Sequence, residues 1–307
     1  MAIRSIQHFA LTVPDLNAGR QYYNDIGLIA EERDGAIVAH CDGRQQDEVI
    51  LFEGNSNHYH HVSFGTNEDG LGEIKQKLEA AGTKLLDPPT EWPEDGLWFR
   101  DPDDALIHIG AVEPAPWRDA PPWLTNSPGH YDRVGVRAVA PVDIEIRPRR
   151  FGHMLLFTTD IEAKTGFFTD ILGMKVSDSV ETFIDFFYAS SGSDHHILAF
   201  GLSSKPGFQH AGFELGNVDE VGMIGRKLRE KGYIHCWGPG RHGPGSNYFQ
   251  YFRDPWNSIT EFFCDMDYIA ADSDWQPKTW LNSEAAADWG PDLPADFLTN
   301  FEALGST

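Results

Sequence analysis

Cysteine is scarce. Cys41, Cys236 and Cys264 are the only three in 307 residues, an odd number and widely spaced. That argues against a disulfide framework and a cysteine zinc site, and fits a reducing, cytoplasmic compartment. No run of about 18 apolar residues exists, so no helical membrane span is expected. The opening Met-Ala-Ile-Arg-Ser-Ile-Gln-His lacks the apolar core of a signal peptide. Basic residues are also few: 24 Lys and Arg stand against 47 Asp and Glu, a net charge of -23. A nucleic-acid binder needs a basic footprint, so that partner is excluded, and the acidity is read as solubility. What is present in quantity is apolar residues, at 41%, and enough length to predict two domains with ordinary cores.

The chain repeats itself. His8-Phe-Ala-Leu-Thr-Val-Pro-Asp15, His61-Val-Ser-Phe-Gly-Thr66, His153-Met-Leu-Leu-Phe-Thr-Thr-Asp160 and His210-Ala-Gly-Phe-Glu-Leu215 each set a His before a short strand-like run. A helical pattern follows each. It runs from Asp15 to Ile26 and from Asp160, a candidate N-cap, to Leu172; Leu71, Ile74 and Leu78 precede Gly82, and Val221, Ile224 and Leu228 precede Gly232. The halves also end alike, in Phe99-Arg-Asp-Pro102 with His108 and in Phe252-Arg-Asp-Pro255 with Glu261. Matching positions are offset by 145 (His8 to His153), 149 (His61 to His210) and 153 (His108 to Glu261), a drift expected from small loop insertions. The chain therefore reads as two halves of two strand-helix-strands units each. The Pro-rich stretch 113–150 divides them, and a tail carrying Trp275, Trp280 and Trp289 packs onto them.

Glu261 stands alone in the apolar run Ser258-Ile-Thr-Glu-Phe-Phe-Cys264. Buried without a partner it would be costly, and a bound cation would remove the cost. A cupped sheet built from paired units would bring the recurring positions His153, His210 and Glu261 together. Two imidazoles and one carboxylate are the ligand set of non-haem Fe(II); Mn(II) fits the same ligands, and a Zn(II) site with an open position also follows from the ligand types.

The stretch Gly240-Arg241-His242, with Tyr251, Asp254-Pro255 and Glu261 at fixed spacing behind it, resembles type I extradiol (catechol-cleaving) dioxygenases of the vicinal oxygen chelate superfamily. Gln250 and Asn257 depart from the usual pattern, between functional positions. The resemblance covers residues 1 to 265. It implies an α+β fold of two tandem domains, each a pair of βαβββ modules forming a cupped mixed sheet or barrel. Residues 1–112 would be a metal-free pair, 113–150 a linker, 151–265 the catalytic pair and 266–307 the tail. It implies Fe(II), with Mn(II) as the alternative, on His153, His210 and Glu261. It implies a catecholic substrate cleaved beside the diol with both atoms of O2, in aromatic catabolism, by a cytoplasmic homo-oligomer.

Further roles follow from the same resemblance. Asp194-His195-His196-Ile-Leu-Ala-Phe200 looks like the segment holding the active-site His. Adjacent strand residues face opposite ways, so one of the two enters the site. The Leu-Ala-Phe register favours His196, and the spacing to His210 favours His195; His196 is preferred. Tyr251 looks like the residue that bonds the diol, and His242 like its neighbour in the second sphere. Trp237 stands where arylacetate-cleaving relatives place an Arg, so a neutral, substituted catechol is expected; Arg241 is the other candidate substrate contact. His8, His61 and His108 pose a separate question. They read either as a second metal site or as core histidines of a metal-free half. Two other functions stay open: a glyoxalase-type metal-dependent isomerase, and a non-catalytic small-molecule binding module.

Overall fold

The computed structural model describes residues 3–120, 123–138 and 145–304. The first half runs β1 (Ser5–Val13), α1 (Leu16–Asp25), β2 (Ile29–Arg33), β3 (Ala36–His40), β4 (Val49–Glu53), β5 (His58–Thr66), α2 (Glu68–Ala80), β6 (Leu85–Leu86), β7 (Leu97–Arg100) and β8 (Leu106–Ala111). Its strands form one sheet in the order β2-β3-β4-β1-β5-β8-β7-β6, two βαβββ modules joined where β1 and β5 pair antiparallel. A small ribbon, β9 (Asn126–Ser127) and β10 (His130–Tyr131), lies in the connecting segment.

The second half repeats the plan. β11 (Arg150–Thr158), α3 (Ile161–Gly166), β12 (Lys175–Val180), β13 (Ile184–Tyr188), β14 (Gly192–Asp194) and β15 (Leu198–Leu202) form one module; β16 (Gly207–Glu214), α4 (Val218–Glu230), β17 (His235–Arg241), β18 (Tyr248–Arg253) and β19 (Ile259–Cys264) form the other. The tail adds β20 (Tyr268–Ala270), β21 (Lys278–Trp280) and α5 (Asn282–Ala285). The sheet order is β17-β18-β19-β16-β11-β15-β13-β12-β21, with the tail strand β21 parallel to β12 at the edge. The fold is thus the α+β tandem expected. Among the described residues no helix is long and apolar enough to cross a membrane.

Local sequence explains these elements. Asp15 caps α1 by accepting from the backbone of Asn17 and Ala18, and Asp160 caps α3 through Ala163. The expected faces of α2 and α4 are buried at Ile74, Leu78, Val221, Ile224 and Leu228. Gly82 and Gly232 follow these helices with φ of +74° and +87°, a left-handed stop that glycine adopts without strain. The helix expected to run to Leu172 does not stay regular. After α3 the chain forms a π turn, Phe167–Ile171, with Leu172 N–H donating to the carbonyl of Phe167. The sequence has one residue more here (Asp170-Ile-Leu-Gly173) than in α1 (Asp25-Ile-Gly27), and a π turn absorbs a single insertion. Phe168 stays fully buried against Phe200 and Phe187.

The halves meet through two related contacts that differ in charge. In one, buried Lys164 on α3 pairs with Asp101 and, at 3.2 Å, with Asp103. In the other, the matching positions are Gly19 on α1, Asp254 and Trp256. Space for a side chain at Gly19 is taken by Leu51 and the Trp256 ring. Asp254 thus has no lysine, and burial pushes its carboxyl up to about 7, although backbone donors at Trp256 and Ser258 oppose the shift. Below about pH 4 Asp254 is protonated in folded and unfolded chains alike. Between an ordinary 3.8 and about 7 only the unfolded chain ionises, so stability is lost as pH rises. Three units correspond to about 4 kcal/mol. Asp254→Asn, which mimics the protonated form, should therefore gain on the wild type from pH 4 to pH 7 and hold that gain above; urea midpoints across the range check it.

Candidate active site

Three neighbouring strands of the second sheet carry the expected ligands: His153 on β11, His210 on β16 and Glu261 on β19. In register, Leu155 faces His210, and Gly212 faces both His153 and Glu261. A side chain at Gly212 would collide with the His153 ring, so only glycine lets that ring lie across β16 toward Glu261. His153 Nε2 is 2.8 Å and His210 Nε2 3.4 Å from Glu261 Oε2. All three are buried, and one donor atom from each lies within 4.8 Å of the others. Among the described residues this is the one group of three such side chains close enough to hold an ion.

The neighbours fix which atoms point inward. Gln209 donates its amide to the carbonyl of Phe297 at 2.9 Å, which turns its oxygen to His210 Nδ1. His210 Nδ1 therefore carries the proton and Nε2 keeps its lone pair. Asn247 Nδ2 donates to Glu261 Oε1 at 2.9 Å, leaving Oε2 for the centre. Burial would raise the Glu261 carboxyl, but His153, His242 and His210 bring it down to about 2. Burial lowers His210 to about 3, partly offset by Glu261. An ionised carboxylate beside a neutral imidazole is the protonation state that binds a metal. The residues present fit a divalent ion.

A cavity of about 400 Å³ opens onto this centre. His196, His242 and Tyr251 stand on its wall together with His210 and Glu261. His195 does not: its ring turns away, toward Asp178 and Trp275. Tyr251 sits opposite Glu261 across β18 and β19, and Trp237 opposite Tyr251 across β17 and β18. The Trp237 and Tyr251 rings stack at 5.7 Å, and Trp237 reaches the cavity. Arg241 is engaged elsewhere. Its guanidinium bonds Ser246 at 2.9 Å and Asp265 at 3.1 Å and lies over the Tyr248 ring, away from the cavity walls. The rest of the wall is apolar, with Leu155, Phe186, Leu293 and Phe297 among it. The tail's share of the wall, and Gln209 and Asn247, were not foreseen. Asn247 lies within the stretch from Gly240 to Glu261 and Gln209 directly before His210, yet only the fold shows which of these side chains each touches.

The same positions in the first half do not converge. His8 Nε2 lies 3.0 Å from His61 Nε2, while His108 turns to Ser63 Oγ at 2.8 Å and the carbonyl of Asp95 at 3.1 Å. Ser63 stands where Gly212 stands in the second half. Trp98, in the place of Tyr251, stacks on His108 at 4.5 Å and fills the cup. Burial lowers His8 to about 3 and His108 to about 4, so these rings are neutral.

Residues 5–109 and 150–262 match the Glyoxalase/Bleomycin resistance protein/Dioxygenase superfamily. The chain belongs to that superfamily. It is 35% identical to Metapyrocatechase 2 of Cupriavidus necator over 98% of this chain and 93% of that protein. It is 26% identical to an iron-dependent extradiol dioxygenase of Rhodococcus jostii (strain RHA1), over 95% of this chain and 98% of that one. Among solved structures, the Mn(II)-bound glyoxalase from Novosphingobium aromaticivorans matches with a TM-score of 0.77 at 24% identity, over 95% of this chain and 94% of that chain. In the second half the paired modules bring His153, His210 and Glu261 together, whereas in the first the matching positions hold three histidines with Trp98 stacked on His108. Titration with Fe(II) or Mn(II) should accordingly find close to one ion per chain. Glu261→Ala or His210→Ala should abolish the binding, whereas His8→Ala with His61→Ala should leave it; atomic absorption after dialysis reads the count.

Proposed function

We propose that the chain is an Fe(II)-dependent extradiol dioxygenase that opens the ring of a catechol beside its diol and incorporates both atoms of O2. The observation that carries this is the meeting of His153, His210 and Glu261 at one end of an apolar cavity whose wall also holds His196, His242 and Tyr251. The iron-dependent extradiol dioxygenase and the metapyrocatechases among its relatives support the same reading. A ferrous ion on those ligands would act as a Lewis acid toward the diol and bring it beside dioxygen; Mn(II) suits the same donors, as the manganese-dependent relative of Geobacillus genomosp. 3 illustrates. The free thiols of Cys41, Cys236 and Cys264 support a cytoplasmic place of work.

The protein's own side chains supply orientation and proton handling. His242 Nδ1 donates to the carbonyl of Ala286 at 2.6 Å, so its Nε2 accepts, and Tyr251 Oη donates to it at 2.8 Å. Burial and the nearby Glu261 push the Tyr251 phenol well above its ordinary range, so it stays protonated. Its hydroxyl proton is committed to His242, and its oxygen is left to accept from a diol hydroxyl. Tyr251 therefore orients the ring. His196, neutral through burial, takes a proton from the diol and returns it later. Trp237, Phe186, Leu155 and Phe297 hold the ring and exclude water.

Mixed aerobically with catechol and ferrous iron, the protein should give a yellow ring-fission product with matching oxygen uptake. A glyoxalase-type isomerase or a binding module would consume no oxygen, and that result would remove the reading. His196→Phe should lower kcat by roughly a hundredfold or more. Substrate choice follows from the wall. Among the described residues no Lys or Arg lines the cavity, so a carboxylated side arm would be buried unpaired near Glu261. Turnover of 3-methylcatechol and 2,3-dihydroxybiphenyl should exceed that of homoprotocatechuate, measured as kcat/KM.

A further inference from the structure

Behind His196, away from the cavity, a second histidine and a carboxylate are buried with no role in the reaction above. His196 Nδ1 is 3.0 Å from His195 Nδ1, and His195 Nε2 is 3.3 Å from Asp178 Oδ2. Relative exposures are 6% for His196, 0% for His195 and 3% for Asp178, so water does not compete for these contacts. The His195–Asp178 approach is close but is not an aligned hydrogen bond, and His195 Nε2 makes no hydrogen bond. Both groups are clamped. Asp178 accepts from Lys278 N at 2.8 Å and from Trp280 Nε1 at 2.6 Å, donors delivered by β21 alongside β12. His195 N donates to the carbonyl of Asp267 at 2.6 Å, and its ring sits against Gly245, where a side chain would crowd it.

The order of groups determines where the protons are. A carboxylate only accepts, so it favours the His195 proton on the nitrogen that faces it, Nε2. With its one ring proton on Nε2, His195 presents a lone pair at Nδ1. The proton between the two rings must come from His196 Nδ1, and His196 Nε2 keeps its lone pair. We propose that Asp178 and His195 are positioning residues that lock His196 in its Nδ1–H tautomer and leave Nε2 as the base offered to the bound catechol. The tautomer rests on geometry alone; its catalytic consequence rests on the ring-cleavage reading.

Two measurements separate these. In Zn(II)-loaded protein labelled with 15N-histidine, ring shifts should report His196 protonated at Nδ1. In His195→Phe, which keeps an apolar ring but no acceptor, Nε2–H should appear. A wild-type proton on Nε2, or no change in the variant, overturns the proposal. In the iron-loaded enzyme, His195→Phe and Asp178→Asn should each lower kcat roughly ten- to hundredfold with KM and metal content unchanged. In a His196→Phe background the same changes should lower kcat no further, because they act only through that ring. An equal loss in both backgrounds marks a merely structural role and overturns the proposal. Trp280→Phe removes a tail donor but keeps the carboxylate, so it should cost much less than Asp178→Asn. A protein with the expected tautomer and no catechol cleavage would uphold the positioning and remove the function.

Discussion

The second half is organised around one buried carboxylate. Glu261 is 1% exposed in a strand whose other side chains are buried too, and ionised there it would be costly without compensation. The compensation comes from two neighbouring strands and a loop: His153 and His210 at one oxygen, Asn247 at the other, and His242 3.8 Å away. These groups cannot converge unless β11, β16 and β19 are neighbours in a fixed register, because a shift by one residue would turn each side chain to the opposite face. The sheet order is therefore a requirement of the site as much as of the core. Filled imidazole and amide contacts leave Oε2 and two Nε2 atoms facing one point, where a divalent charge would complete the compensation.

The first half shows how few changes separate a cup from a plug. Three substitutions along matching strands do it. Ser63 for Gly212 adds a hydroxyl that bonds His108 where the His153 ring would need room. Trp98 for Tyr251 fills the space a substrate would use. His108 for Glu261 puts a neutral imidazole where the second half has a buried strand carboxylate; the carboxylate beside it is that of partly exposed Glu94, 3.7 Å from both His8 and His108. The same economy appears between the halves. Lys164 with two aspartates in one contact becomes Gly19, Trp256 and a carboxyl kept protonated near neutral pH in the other. A buried ion triad and an aromatic fill occupy equivalent places, as expected when packing and paired charge are near alternatives.

Much of this was legible in the sequence because it repeats. The offsets that align His8 with His153, His61 with His210 and His108 with Glu261 give the tandem plan, the strand-helix-strands units and the three recurring positions, while the βαβββ form of the modules was implied by the family resemblance. The helix cap at Asp160 and the stops at Gly82 and Gly232 were local enough to read. The π turn was written as a single extra residue, but an insertion does not say whether a helix or the following turn will absorb it. Side-chain direction across the sheet was less accessible. That His196 and not His195 reaches the cavity depends on how the chain bends between β14 and β15, and Arg241 was drawn to Asp265 by a contact 24 positions away. Trp289 was expected to pack like Trp275 and Trp280; it remains 51% exposed, and the tail is held there by backbone bonds to Arg241.

The tail carries more than its weak sequence pattern suggests. It walls the cavity with Leu293, Phe297 and Leu298, which alone would make it a cover. It also reaches three buried groups at or behind the site through one intermediary each. The Phe297 carbonyl orients Gln209, which fixes the proton on His210; the Ala286 carbonyl fixes His242, which fixes Tyr251; and Trp280 holds Asp178, which faces His195. Two of these three controls are main-chain carbonyls, so they depend on where the backbone runs and barely on which residues form it. That explains how a segment without a readable motif can be integral to the site. The proposed ligands come from the repeat, whereas the contacts that orient them and their neighbours come in large part from the stretch of chain that does not repeat.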